Sequence, residues 1–176
     1  MKKLVSIIVV LIFCNVGFAQ NAGYKKGDKL LNIGLGVNSY YNGGIPFGAS
    51  FEVGITEDIS VGGNFDYLSY SYKYSGNLSN RFSTFYIGAR GSYHLNRVFK
   101  ISNEKVDLYV GAILGFRSFS WNDDNYAGNG LESYGSGLYL GGFIGGKYYF
   151  SDKVCVFTEL GAIGSTNARI GVGFKL

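Results

Sequence analysis

NARIGVGFKL, residues 167–176, is the stretch on which the fold turns. Ile170, Val172, Phe174 and Leu176 share one parity, and Arg169, Gly171, Gly173 and Lys175 share the other. Strict alternation is the pattern of a strand with two unlike faces. The sequence stops on this strand, at an apolar residue. An unpaired amphipathic edge invites pairing with other chains, whereas a last strand that closes against the first has no free edge. The expectation is therefore a barrel wall that residues 167–176 complete.

Seven more alternating segments precede it, at about 154–164, 134–150, 106–120, 81–95, 59–74, 45–55 and 29–41. In 106–120, Leu108, Val110, Ala112, Leu114 and Phe116 oppose Asp107, Tyr109, Gly111, Gly115 and Arg117. In 45–55, Phe47, Ala49, Phe51 and Val53 oppose Gly48, Ser50, Glu52 and Gly54. The connections alternate in kind. Polar loops at 42–44, 75–80, 121–133 and 165–166 lie at one end; turns at 56–58, 96–105 and 151–153 lie at the other, with both termini. An even number of antiparallel segments, with loops at one rim and tighter turns at the other, predicts an all-β, eight-stranded, antiparallel up-and-down transmembrane β-barrel.

Composition supports this. The chain has 28 Gly among 176 residues, 17% aromatics, 16% charged residues and one Pro. Without a Gly-X-Y period this is not collagen, abundant Tyr and Phe exclude a disordered chain, and frequent Gly disfavours helices. Lys2 and Lys3, the apolar run 4–13 and the small residues Gly17 and Ala19 match a secretory signal peptide. Cleavage is expected after Ala19, which discards Cys14 and leaves one barrel domain, 20–176, with the single cysteine Cys155. The lost segment holds two lysines and no acid, so the formal charge falls from +4 to +2. A nearly neutral chain without a basic patch excludes nucleic acid as a partner.

Alternation alone leaves open which face is the core. A soluble lipocalin-like barrel would turn the Leu/Val/Ile/Phe face inward and expose a Lys- and Glu-rich face to water. The second face here is mostly Gly, Ser, Asn and Tyr, which suits a crowded interior, and the smooth apolar face suits lipid. Aromatics near the strand ends agree with two interfacial girdles. Tyr40, Tyr41, Tyr67, Tyr70, Tyr72, Tyr74, Phe116, Phe119, Trp121 and Tyr134 are at the loop side; Tyr93, Tyr148, Phe150 and Phe174 are at the turn side.

Together with the leader and the eight segments, GGKYYFSDKVCVFTELG (145–161) and the ending IGVGFKL resemble the small outer-membrane β-barrel domain family of Gram-negative bacteria, the porin-like OmpA/OmpX type, and especially versions common in Bacteroidetes. The resemblance implies residence in the bacterial outer membrane, among its lipid and lipopolysaccharide, as a monomer. It also implies that Ile170, Val172, Phe174 and Leu176 form the C-terminal signal read by the barrel-assembly machinery, although Leu176 stands where Phe is commoner.

Eight strands enclose an interior only wide enough for side chains to fill it. The inward set includes Glu52, Asp66, Arg90, Arg117, Lys147 and Glu159, and buried charges must be paired. The expectation is a lumenal charge network that holds the wall together, with Glu159 near Lys147 and Arg90 within reach of Arg117 or Glu52. Its alternative is a small passive pore for ions or solutes. A lipid A-modifying enzyme would need His94, the only histidine, to meet a serine and an acid; spacing alone supplies neither, and no catalytic residue, cofactor or metal ligand set is expected. Cys155 reads as a small lumen filler. Asp123, Asp124 and Asn125 offer oxygen atoms without EF-hand spacing, and the 121–133 loop, with Trp121 and Tyr126, reads as the surface presented outside. The function expected is structural or surface-interaction, through the loops.

Overall fold

The computed structural model describes residues 23–41, 43–73, 79–122 and 135–176. Eight strands follow one another: β1 (Lys29–Ser39), β2 (Phe47–Gly54), β3 (Ile59–Lys73), β4 (Ser79–His94), β5 (Val106–Asn122), β6 (Gly137–Tyr149), β7 (Val154–Gly161) and β8 (Thr166–Lys175). Each pairs antiparallel with its sequence neighbour, and β8 pairs with β1, which closes an up-and-down barrel. The closing register sets Leu31 opposite Phe174 and Leu35 opposite Ile170.

The wall has an uneven rim. β3, β4 and β5 run 15, 16 and 17 residues, whereas β2 and β7 have 8 each. The turn ends are level, with Gly54 opposite Ser60, Ile59 opposite Tyr93 and Val154 opposite Phe174. The surplus length of β3–β5 therefore rises at the loop side.

The barrel is polar inside and apolar outside, the reverse of a soluble barrel. Leu35, Phe51, Phe65, Ile87, Leu114, Leu140, Ile144, Leu160 and Ile170 are exposed. The inner face buries Asn32, Ser50, Glu52, Ser60, Asn64, Asp66, Thr84, Arg90, Ser92, Asp107, Lys147, Glu159 and Arg169. A continuous apolar belt in water would drive aggregation; against hydrocarbon it is satisfied, while closure pairs the backbone of every strand.

Glycine makes the inner face possible. A Cβ on Gly48 would collide with the Arg169 guanidinium, one on Gly145 with the Tyr109 ring and one on Gly111 with the Phe143 ring. Outward glycines are different: at Gly63 a Cβ would meet nothing nearer than 3.7 Å.

Two expectations are revised. β7 ends at Gly161, three residues before the expected end at 164, because residues 162–165 turn into the lumen. Gly161 at φ 139° and Gly164 at φ 103° permit that turn, and Ile163 and Ser165 become fully buried. Tyr41 and Phe119, assigned to the outer girdle, instead pack with Phe82 and Tyr86 in the lumen's loop-side half. Tyr93, Tyr148, Phe150 and Phe174 are exposed at the turn side. The side chains of Tyr72, Tyr74, Trp121 and Tyr134, and the residues of the 121–133 loop beyond β5, lie outside the described residues.

Candidate functional site

Five strands each send one charged side chain to the middle of the lumen, and together these form a single chain of alternating sign. Glu52 of β2 binds Arg90 of β4, Oε1 to Nε, at 2.8 Å. Arg90 Nη2 binds Glu159 of β7 at 2.5 Å. Glu159 faces Arg169 of β8 at 3.9 Å, and Arg169 Nη2 binds Asp66 of β3 at 2.7 Å. All five side chains are at most 2% exposed.

Neutral donors add to the set. Ser60 and Ser92 donate to Glu52 Oε2 at 2.9 and 2.6 Å, and the Tyr109 hydroxyl donates to Glu159 at 3.0 Å. Ser165, carried in by the tucked 162–165 segment, donates both its backbone N–H, at 2.8 Å, and its hydroxyl to Asp66. Arg169 also donates to the Ile163 carbonyl at 2.9 Å. The Arg90 guanidinium lies 4.0 Å over the Phe143 ring. Charge-assisted bonds of this kind are about twice as strong as neutral ones, and in a dry interior each charge requires its partner.

The structure thus joins Glu52, Arg90 and Glu159 but arranges the other expected members differently. Lys147 is not beside Glu159. The β6–β7 register sets Lys147 opposite Phe157 and Glu159 opposite Gly145, and the β7–β8 register sets Glu159 opposite Arg169. Lys147 is buried, with its ammonium 5.2 Å from the Tyr109 ring centroid. Arg117 stands nearer the loop rim, half-buried, with its guanidinium 5.5 Å from the Phe119 ring centroid. It is four residues along β4–β5 from the Arg90 level, since Arg90 pairs with Ile113 and Arg117 with Tyr86. Arg169 completes the set in its place. The signal was present in the sequence, because Arg169 shares the glycine parity of the last strand.

Around His94 the structure assembles a serine and an acid that spacing did not reveal. His94 Nδ1 is 2.8 Å from Asp107 Oδ1, and Nε2 is 3.1 Å from Ser60 Oγ. The order Ser-His-Asp resembles a nucleophile with its base and orienting carboxylate, but the chemistry fails at the first step. Ser60 is fully buried, its hydroxyl is committed to Glu52, and an oxyanion formed there would lie against that carboxylate rather than against donors. Cys155 is buried beside Tyr149. Among the described residues, no group of three or more His, Cys, Asp or Glu side chains could hold a metal ion.

No family model and no curated protein matches the chain. Solved structures do match in fold. The outer membrane protein OprG from Pseudomonas aeruginosa aligns at TM-score 0.61 and 13% identity, over 89% of this chain and 99% of that one. Ail, the attachment invasion locus protein of Yersinia pestis, solved in complex with the heparin analogue sucrose octasulfate, aligns at TM-score 0.55 and 14% identity, over 86% and 99%. A de novo designed transmembrane β-barrel aligns at TM-score 0.51 and 16% identity, over 88% and 99%. At these identities the likeness concerns the fold alone.

Proposed function

We propose that this chain is a bacterial outer-membrane β-barrel of the small OmpA/OmpX type, with a sealed lumen and a structural or surface-interaction role exercised through its loop-side rim. One observation carries the reading: an apolar outer belt surrounds a lumen crossed by the Glu52–Arg90–Glu159–Arg169–Asp66 chain. An ion path along the axis would have to break buried pairs, each costing several kcal/mol. The reading therefore favours a plug over a passive pore, and a non-enzyme over a lipid A-modifying enzyme, because Ser60 is engaged by Glu52.

On this reading residues 1–19 are a leader removed during secretion, and the barrel 20–176 is a monomer among outer-membrane lipid and lipopolysaccharide. The outward residues Ile170, Val172, Phe174 and Leu176 present the strand to the barrel-assembly machinery. The test is single-channel recording in planar bilayers. A silent bilayer over wild-type protein whose folding is verified is the expected result, and stable ohmic steps would favour the pore. A second check is Phe174→Ala, which should lower the amount recovered in the outer membrane.

A further inference from the structure

The turn-side mouth of the barrel is covered by the chain's own segment 23–28. Tyr24 lies flat on His94, with ring centroids 3.4 Å apart and planes 5° apart. Its hydroxyl is shared between the carbonyls of Thr56, at 2.9 Å, and Ile59, at 2.6 Å. Behind it, Gly27 N–H donates to Gly54 O at 2.9 Å and Gly54 N–H to Asp28 O at 2.8 Å. Lys175 Nζ donates to the Gly23 carbonyl at 2.7 Å and pairs with Asp28 at 2.9 Å. Burial, with the carboxylates of Asp28, Asp107, Glu52 and Glu57, pushes the Tyr24 phenol up to about 12.

The imidazole beneath Tyr24 belongs to a proton-limited chain. Asp107 Oδ1, His94 Nδ1, His94 Nε2, Ser60 Oγ and Glu52 Oε2 make three successive contacts of 2.8, 3.1 and 2.9 Å. Three contacts need three protons. Ser60 supplies one and ionised carboxylates supply none, so only an imidazole carrying two satisfies all three contacts. A neutral ring would leave lone pairs facing each other at one of the three contacts: Asp107 with His94, His94 with Ser60, or Ser60 with Glu52.

The charge count agrees. Asp58 pairs with the exposed Arg97; the other four buried acids, Glu52, Asp66, Asp107 and Glu159, meet three buried bases, Arg90, Lys147 and Arg169, and an imidazolium balances them. The groups that face His94 are Tyr24 from the plug, Asp107 and Tyr109 from β5, and Glu52 from β2 through Ser60. Arg90 neutralises Glu52, and Lys147 acts on it from β6. Glu57, Asp58 and Arg97 share with His94 and Tyr24 the walls of a mouth cleft of about 220 Å³.

We propose that His94 is the pH-sensitive catch of this plug. Its charged ring holds Tyr24 by stacking and by completing the hydrogen-bond chain, and its deprotonation releases residues 23–28 and opens the mouth cleft. The plug is seated at low pH and loosens as pH rises through the titration of the imidazole.

The test uses the full chain folded in detergent micelles. Lys25 and Lys26 are exposed on the plug, yet trypsin requires the segment to leave the mouth. Initial cleavage there is measured at about pH 6 and about pH 8.5 and divided by the rate on an unstructured lysine peptide. The ring resonances of the single histidine are followed in parallel. The normalised rate is expected to rise about tenfold, with the midpoint of the imidazole shift. Tyr24→Ala should be cut fast at both pH values, and His94→Gln should show no pH dependence. A flat wild-type rate while the imidazole titrates overturns the proposal, as does an imidazole that does not titrate in this range, or a pH dependence that persists in His94→Gln. Should His94→Gln fail to fold, the wild-type titration decides.

Discussion

At the scale of single residues, the lumen makes sharp distinctions between side chains of the same type. Arg90 bridges two carboxylates at full burial. Arg90→Ala leaves Glu52 and Glu159 without their shared partner and should cost about 3–5 kcal/mol, read as a lower urea midpoint for unfolding from lipid vesicles. Arg117→Ala removes a half-buried cation outside that chain and should cost under about 1 kcal/mol in the same assay. Glycines divide likewise. Gly48→Ala drives a methyl into the Arg169 guanidinium and should destabilise by about 1–3 kcal/mol, whereas Gly63→Ala faces outward with no contact nearer than 3.7 Å and should be nearly neutral. The parity rule made the inward charges legible in the sequence. Their partners were not, because pairing depends on register. Lys147 and Glu159 sit on adjacent strands and the same face, but a two-residue offset puts Phe157 opposite the lysine and Gly145 opposite the glutamate.

At the scale of elements, all eight strands follow from period-two alternation, with ends displaced by a few residues. The departure at 162–165 has a physical cause. Its apolar and small residues continue the strand pattern, but Gly161 and Gly164 allow left-handed backbone, and Asp66 rewards an inward Ser165 with two donors. Gly164→Ala should lose about 1–2 kcal/mol from the left-handed backbone alone, and its added Cβ would also crowd Asp66. The plug 23–28 was equally hidden, since nothing in the spacing of Tyr24 and His94 announces a stack. The folded Tyr24 phenol sits above its ordinary value of 10, at about 12. A raised acid of this kind contributes its stabilisation fully below the ordinary value and loses it as pH climbs towards 12. A loosening from Tyr24 itself is therefore expected only above about pH 10, outside the range in which trypsin release tests the His94 catch.

At the scale of the whole molecule, the account rests on which face is solvated by what. Leu114 is 60% exposed at mid-strand on β5. In water, Leu114→Arg would be a harmless surface change; at the middle of a bilayer it should cost about 2–4 kcal/mol, measured as refolding into vesicles against refolding into detergent. The most direct measurement is of the barrel itself. The chain is unfolded in urea, offered lipid vesicles, and run on a gel with and without boiling after protease treatment. The account predicts a vesicle-bound, protease-resistant form whose migration shifts on boiling. A monomeric protein that stays soluble without detergent, ignores the vesicles and shows no shift would mean that the apolar face is not turned to lipid, and would contradict the account.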